Sequence, residues 1–168
     1  MKRKAKRHVV FAIIWLLGLT ALGRSEHFPT KPVLTLQMAK QAVASAEAEA
    51  HKRGATVVIA VVDDGGHLLL LERLDDTQVA SVEVAIGKAR TAAIFRRPSK
   101  EFEDQVRNGR VAALALPGAT ALQGGVPVFL GGKVVGAVGV SGNTPQEDED
   151  IAKVGAAAVD GAVRGGGQ

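Results

Sequence analysis

The sequence contains no cysteine and no tyrosine. Without a thiol there can be no disulfide, no thiolate nucleophile, no thioether-attached haem and no lipoprotein anchor. Aromatic residues are scarce, with five Phe and one Trp. Catalytic signatures are missing as well. There is no G-x-S-x-G, no H-E-x-x-H, no Walker loop and no histidine pair at metal spacing. Gly124-Gly125 and Gly131-Gly132 read as turns, because neither opens a helix directly after a strand as a dinucleotide-binding loop must.

What is present begins with an export pattern. Lys2, Arg3, Lys4, Lys6 and Arg7 precede an almost purely apolar run from Val9 to Gly23, and Ala21 and Gly23 are spaced for a leader peptidase. The expected organisation is a signal peptide over 1–23, a linker over 24–34, one domain over 35–164 and a tail over 165–168. The run is shorter than the roughly 20 apolar residues of a spanning helix, so no membrane span is expected after cleavage. The expected location is extracytoplasmic, periplasmic or secreted. Five of the 21 basic residues lie in the signal, leaving 16 against 17 acidic ones and a net charge of −1. The high pI therefore belongs to the targeting segment, and net charge gives no case for nucleic-acid binding.

Within the domain, Thr35 can cap a helix to about Arg53, with Leu36, Ala39, Val43, Ala46 and Ala50 on one stripe and Gly54 as its terminator. Thr56–Val62 and His67–Leu74 read as a hairpin about Asp63-Asp64-Gly65-Gly66. A helix follows from about Val79 to Phe95, stopped by Pro98. Another opens at Ser99 and closes near Gly109. Arg110–Leu116 fits strand or helix. Val126–Leu130 and Lys133–Val140 form a second hairpin about Gly131-Gly132, and Gly136 and Gly139 imply something packed closely on the backbone. Thr144, Pro145 and Glu147 make a capping box with proline at the first helical position. Hairpins with helices packed on them define an α+β domain with a central antiparallel sheet flanked by helices.

Few residues can carry chemistry. His51 sits near the end of the first helix, where an imidazole also gains from the helix dipole. His67 opens the second strand. Asp63-Asp64 and Asp75-Asp76 suit turns and caps. The acidic group Glu147–Asp150 suits a helix start. Lys88 and Thr91 lie one turn apart on one helix face. Arg73, Arg96 and Arg97 carry guanidinium forks matched to carboxylates.

Three segments, VVIAVVDDGGHLLLLERLDD, IGKARTAAIFRRPS and LQGGVPVFLGGKVVGAVGVSGNTPQEDEDIA, together resemble the GlcG/HbpS family of haem-binding proteins. They also resemble the C-terminal domain of PduO-type adenosyltransferases. The resemblance runs from about Leu34 to Val163. It rests on K-A-x-T-A, G-G-x-P and V-V-G-A-x-G-V-S-G in that order. It implies a profilin-like fold, homo-oligomerisation, and binding of haem or a related tetrapyrrole. His51 and His67 are then the candidate axial ligands to the metal, and Arg73, Lys88, Thr91 and Arg96 the candidate cofactor contacts. An iron ligand from tyrosinate is excluded by composition. Where many members have Asp-Gly-Ala after the second strand, this chain has Asp75-Asp76-Thr77. Ser99 replaces a threonine and is expected to cap its helix. The expected function is extracytoplasmic haem scavenging or sensing. Alternatives are an enzyme of small-molecule or tetrapyrrole metabolism using Lys88, and an interaction module with an envelope sensor as partner. The low aromatic content points to a shallow or subunit-interface site.

Overall fold

A computed structural model describes residues 29–165, with side chains to Asp160. The expected signal peptide, His27 and residues 166–168 lie outside the described residues. The chain divides into two units, Met1–Lys31 and Pro32–Gln168. The second unit holds all the described secondary structure.

The elements are α1 (Leu36–Arg53), β1 (Val58–Asp63), β2 (Leu68–Arg73), α2 (Ser81–Phe95), α3 (Lys100–Arg107), a 3-10 turn (Val111–Ala115), β3 (Gly125–Leu130), β4 (Lys133–Ser141) and α4 (Pro145–Gly165). The sheet is four-stranded, in the order β2-β1-β4-β3, with every neighbouring pair antiparallel. This is the α+β architecture anticipated from the pattern. The ambiguous Arg110–Leu116 stretch forms the 3-10 turn.

Local chemistry explains the boundaries. Thr35 Oγ1 accepts from the Met38 N–H at 3.3 Å, and Gly54 closes α1 at φ 64°. The Gly131-Gly132 turn has both φ values positive, at 57° and 76°, as a two-residue hairpin of the right twist requires. At α4 the Thr144 hydroxyl lies 2.6 Å from Glu147 Oε2 and accepts from the Glu147 N–H. Ser99 behaves differently from expectation. Its hydroxyl makes no cap on α3. It donates to the Leu122 carbonyl at 2.6 Å and accepts from the Gly125 N–H at 2.8 Å. A tertiary partner outcompetes the local one, and Ser99 pins the start of β3. Asp76 has φ 63°, a region that the glycine implied by the family resemblance would adopt freely. Aspartate tolerates this left-handed conformation better than most residues.

Strand alternation splits the core between two faces. Val57, Ile59, Val61, Val128, Val138 and Val140 pack with α1 and α4. Val62 and Ala137 meet Ala89, Ala92 and Ala93 of α2, and Val58 and Ala60 meet Ala85. The α2 face is built from alanines because the helix sits very close to the sheet. A Cβ at Gly139 would overlap the Ala85 carbonyl and lie 2.5 Å from the Ala89 nitrogen. Both conflicts are with backbone, which cannot rotate aside. Gly139→Ala is therefore expected to destabilise by about 2–3 kcal/mol or more, as overpacking does. Urea unfolding of the variant, read as a fall in midpoint at constant m-value, checks this.

Candidate functional site

The sheet ends where β1 begins and β2 and β4 finish. There α1 delivers its last turn to one face. A cleft of about 520 Å³ opens at this point, lined by Glu47, His51, Gly54, Ala55, Thr56, Glu72, Arg73, Leu74 and Asp75. His51 is held by the helix that Gly54 terminates, so the residue that stops α1 also opens the cleft. The His51 side chain is 65% exposed, and its Nε2 lies 3.4 Å from Glu47 Oε1. The two are one turn apart and share a face. Glu72 enters from β2 opposite Ile59. Burial raises its pKa from the ordinary carboxylate value. The negative Glu47, which is also hydrogen-bonded to it, raises it further, while His51 acts the other way.

The sequence candidates thus fall into separate places. His51 and Arg73 share the cleft. His67 is exposed beside the β1–β2 turn, where Asp63 Oδ1 accepts from the N–H groups of Gly65 and His67 at 2.9 Å. The length of β2, roughly 20 Å at about 3.3 Å per residue, separates His67 from the cleft. Within one chain the two histidines do not converge. Among the described residues no group of three His, Asp or Glu is arranged to hold a metal ion. Arg96 is exposed at the C-terminus of α2, in the left-handed conformation with φ 56°. Arg97 lies over the Phe102 ring at 5.0 Å.

Lys88 and Thr91 lie inside the protein. Lys88 Nζ donates to Asp148 Oδ2 at 2.8 Å and to the Val140 carbonyl at 3.0 Å. The Lys88 and Asp148 side chains are 5% and 3% exposed. Burial raises the Asp148 pKa, and the Lys88 ammonium and the Asn143 and Gly142 N–H groups partly offset that. Thr91 Oγ1 donates to the Gly87 carbonyl at 2.8 Å and accepts from the Thr120 N–H at 2.7 Å, fastening the loop after the 3-10 turn to α2. Glu47 and Glu72 are the residues that sequence reasoning passed over, and Asp148 was read only as part of an acidic helix start, not as the partner of Lys88. The i, i+4 spacing of Glu47 and His51 was visible in the sequence. The pairing of Lys88 with Asp148, 60 positions apart, had no local signal.

Fold and cleft together define a small three-layer α+β domain with a polar cleft at one sheet end. The family described as "Haem degrading protein HbpS-like" matches residues 34–157, and the chain belongs to it. GlcG of Escherichia coli K12 is 49% identical over 112 residues, covering 67% of this chain and 84% of GlcG. A double mutant of HbpS from Streptomyces reticuli superposes with a TM-score of 0.72 at 33% identity, covering 80% of this chain and 92% of that one. A PduOC:heme complex superposes with a TM-score of 0.69 at 27% identity, covering 76% and 95%. No helix among the described residues is long and apolar enough to cross a membrane.

Two consequences can be measured. Glu72 holds its proton more tightly in the folded than in the unfolded protein. Its stabilising contribution is therefore present at acid pH and is lost as pH rises through the raised folded value. Glu72→Gln should raise Tm at pH 7–8 and leave it unchanged below about pH 4, where the carboxyl is protonated in either state. Thermal melts across that range check it. Lys88→Ala strands a buried carboxylate and should cost about 3–5 kcal/mol. Lys88→Met combined with Asp148→Leu should cost less than Lys88→Ala alone. Denaturant curves of the two variants and the parent protein separate these outcomes.

Proposed function

We propose that this protein binds haem or a related tetrapyrrole at the cleft beside His51, and does so outside the cytoplasm in haem scavenging or sensing. The observation that carries the reading is an exposed imidazole at the mouth of the cleft, with a guanidinium alongside it, in a chain of the HbpS-like family. The superposable PduOC structure is a heme complex, which supports the same ligand. The basic head and apolar run at the start of the sequence support export.

The residues fit the group at one edge. His51 would supply a nitrogen donor, and one histidine would suffice because the porphyrin brings four nitrogens of its own. Arg73 suits a propionate. Glu47 contacts His51 Nε2 and so fixes which ring nitrogen is free, a role that carboxylates beside metal-binding histidines fill generally. Apolar cover within the cleft is limited to Ala55 and Leu74, so the faces of a macrocycle need further wall. When bound, the haem would supply a redox-active iron. Lys88, buried and ion-paired, serves this reading by holding α2, β4 and α4 together.

The family description also favours a second reading, in which bound haem is degraded. Loss of the Soret band with iron release, when the hemin-loaded protein meets a reductant in air, would establish turnover; a persistent band marks a binder.

Hemin titration followed at the Soret band tests the main reading. His51→Ala should weaken binding by at least about tenfold, or ~1.4 kcal/mol, and shift the band. Arg73→Ala should weaken binding with no band shift. Saturable binding that is indifferent to His51→Ala would remove the ligand assignment, and no saturable binding would remove the function.

A further inference from the structure

One fully buried polar side-chain atom among the described residues has no hydrogen-bond partner. It is Thr77 Oγ1, in the connection between β2 and α2. Thr77 is 7% exposed. A hydroxyl shut away from water and left unpaired destabilises the fold. Folded proteins leave few such groups, and each that remains calls for a reason. The preceding residue adds to the cost, because Asp76 lies in the left-handed region that side-chain-bearing residues enter uncommonly. The glycine and alanine that the family resemblance implies at these two positions would carry neither cost.

The same turn forms the rim of the cleft. Leu74 and Asp75 line the cleft with Arg73. The ends of the connection are fixed. The Leu74 N–H donates to the Val57 carbonyl at 3.1 Å, and Ser81, at the start of α2, is buried. Between them the hold is light. The Thr77 N–H reaches the Leu74 carbonyl at 3.3 Å, and Asp75, Asp76, Gln78, Val79 and Ala80 are exposed. Segments with few buried contacts open at low free-energy cost. Closed, the turn keeps the Asp75 carboxylate in the same cleft as the Arg73 guanidinium. That is a negative charge where an anionic group seeking the arginine has to come. Opening carries Asp75 away and brings the Thr77 hydroxyl out at the same rim.

We propose that the segment 75–80 opens when the cleft fills, and that Thr77 Oγ1 then donates a hydrogen bond to a ligand carboxylate held by Arg73. A hydroxyl and a guanidinium on one carboxylate form charge-assisted bonds, stronger than neutral ones. On a tetrapyrrole that carboxylate is a propionate. The closed turn carries an orphaned hydroxyl and a left-handed aspartate, so opening relieves two costs and the bond to the ligand offsets what remains. The contact belongs to this chain, since an alanine at 77 has no hydroxyl to give. It deepens the haem-site reading and rests on it for the ligand. The cost of the orphaned hydroxyl in the empty protein is independent of haem.

Thr77→Val keeps the shape of the side chain and removes the hydroxyl, so it tests both halves. Without hemin, its thermal midpoint should rise by about 3–5 °C. Its hemin affinity, read at the Soret band, should fall by about tenfold. In an Arg73→Ala background the same substitution should cost less than about threefold, because the carboxylate is no longer held at the rim. In the parent protein the Thr77 amide should exchange its hydrogen faster with hemin bound than without, as its bond to Leu74 is given up. A midpoint that stays or falls would mean that the hydroxyl already has a partner, and would overturn the proposal. An unchanged hemin affinity in Thr77→Val, or a Thr77 amide that slows on loading, would do the same. A tenfold loss that persists without Arg73 would remove the shared carboxylate. A parent protein that takes up no hemin would instead sink the cleft reading itself, and this contact with it.

Discussion

Lys88 joins three elements at one buried point. Its helix is α2, its ammonium bonds the last residues of β4 through the Val140 carbonyl, and its counter-ion, Asp148, lies in the first turn of α4. Its own backbone carbonyl is approached so closely by Gly125 that no side chain fits there. Removing one charge of such a pair leaves the other stranded in a medium that cannot solvate it, which is why broken buried pairs cost far more than surface ones. The pair also sets geometry. An ammonium with two fixed acceptors allows one placement of α2 along the sheet, and small residues along α2 and β4 let the helix settle into it. K-A-x-T-A and V-V-G-A-x-G-V-S-G are thus halves of one contact.

The cleft depends on that frame indirectly. α1 and α4 pack on the opposite face over the valine and isoleucine side chains of β1 and β4, and α4 is held at its start by Asp148. With α1 so placed, its last turn overhangs the sheet end and delivers Glu47 and His51 to Glu72 and Arg73. The site is therefore made of polar side chains set on a rigid base. Three carboxyls against one guanidinium and one imidazole leave the cleft poorly suited to an anion held at its centre.

Much of the fold was legible in the sequence because it is set by short-range chemistry. Gly54 stops α1, Gly131-Gly132 turns the second hairpin, and Thr144-Pro145-Glu147 starts α4, each through bonds spanning a few residues. The site was legible in part. His51 and Arg73 were recognised as residue types able to meet a tetrapyrrole, but 22 positions separate them in the chain. Ser99 shows the limit most clearly. Its sequence context reads as a cap, and its hydroxyl instead closes the edge of β3. A hydroxyl takes the better acceptor and donor available, and here those come from Leu122 and Gly125.

By itself the sequence determined the element order, the antiparallel hairpins and the family, because periodicity, turn residues and ordered motifs are properties of neighbouring positions. Tertiary structure alone decided that Lys88 is a buried tie and not a free amine, that His51 and His67 lie at opposite ends of one strand, and that Glu47 and Glu72 share a cleft. Those outcomes depend on which surfaces exclude water and which charges meet across the sheet, and no local pattern encodes them.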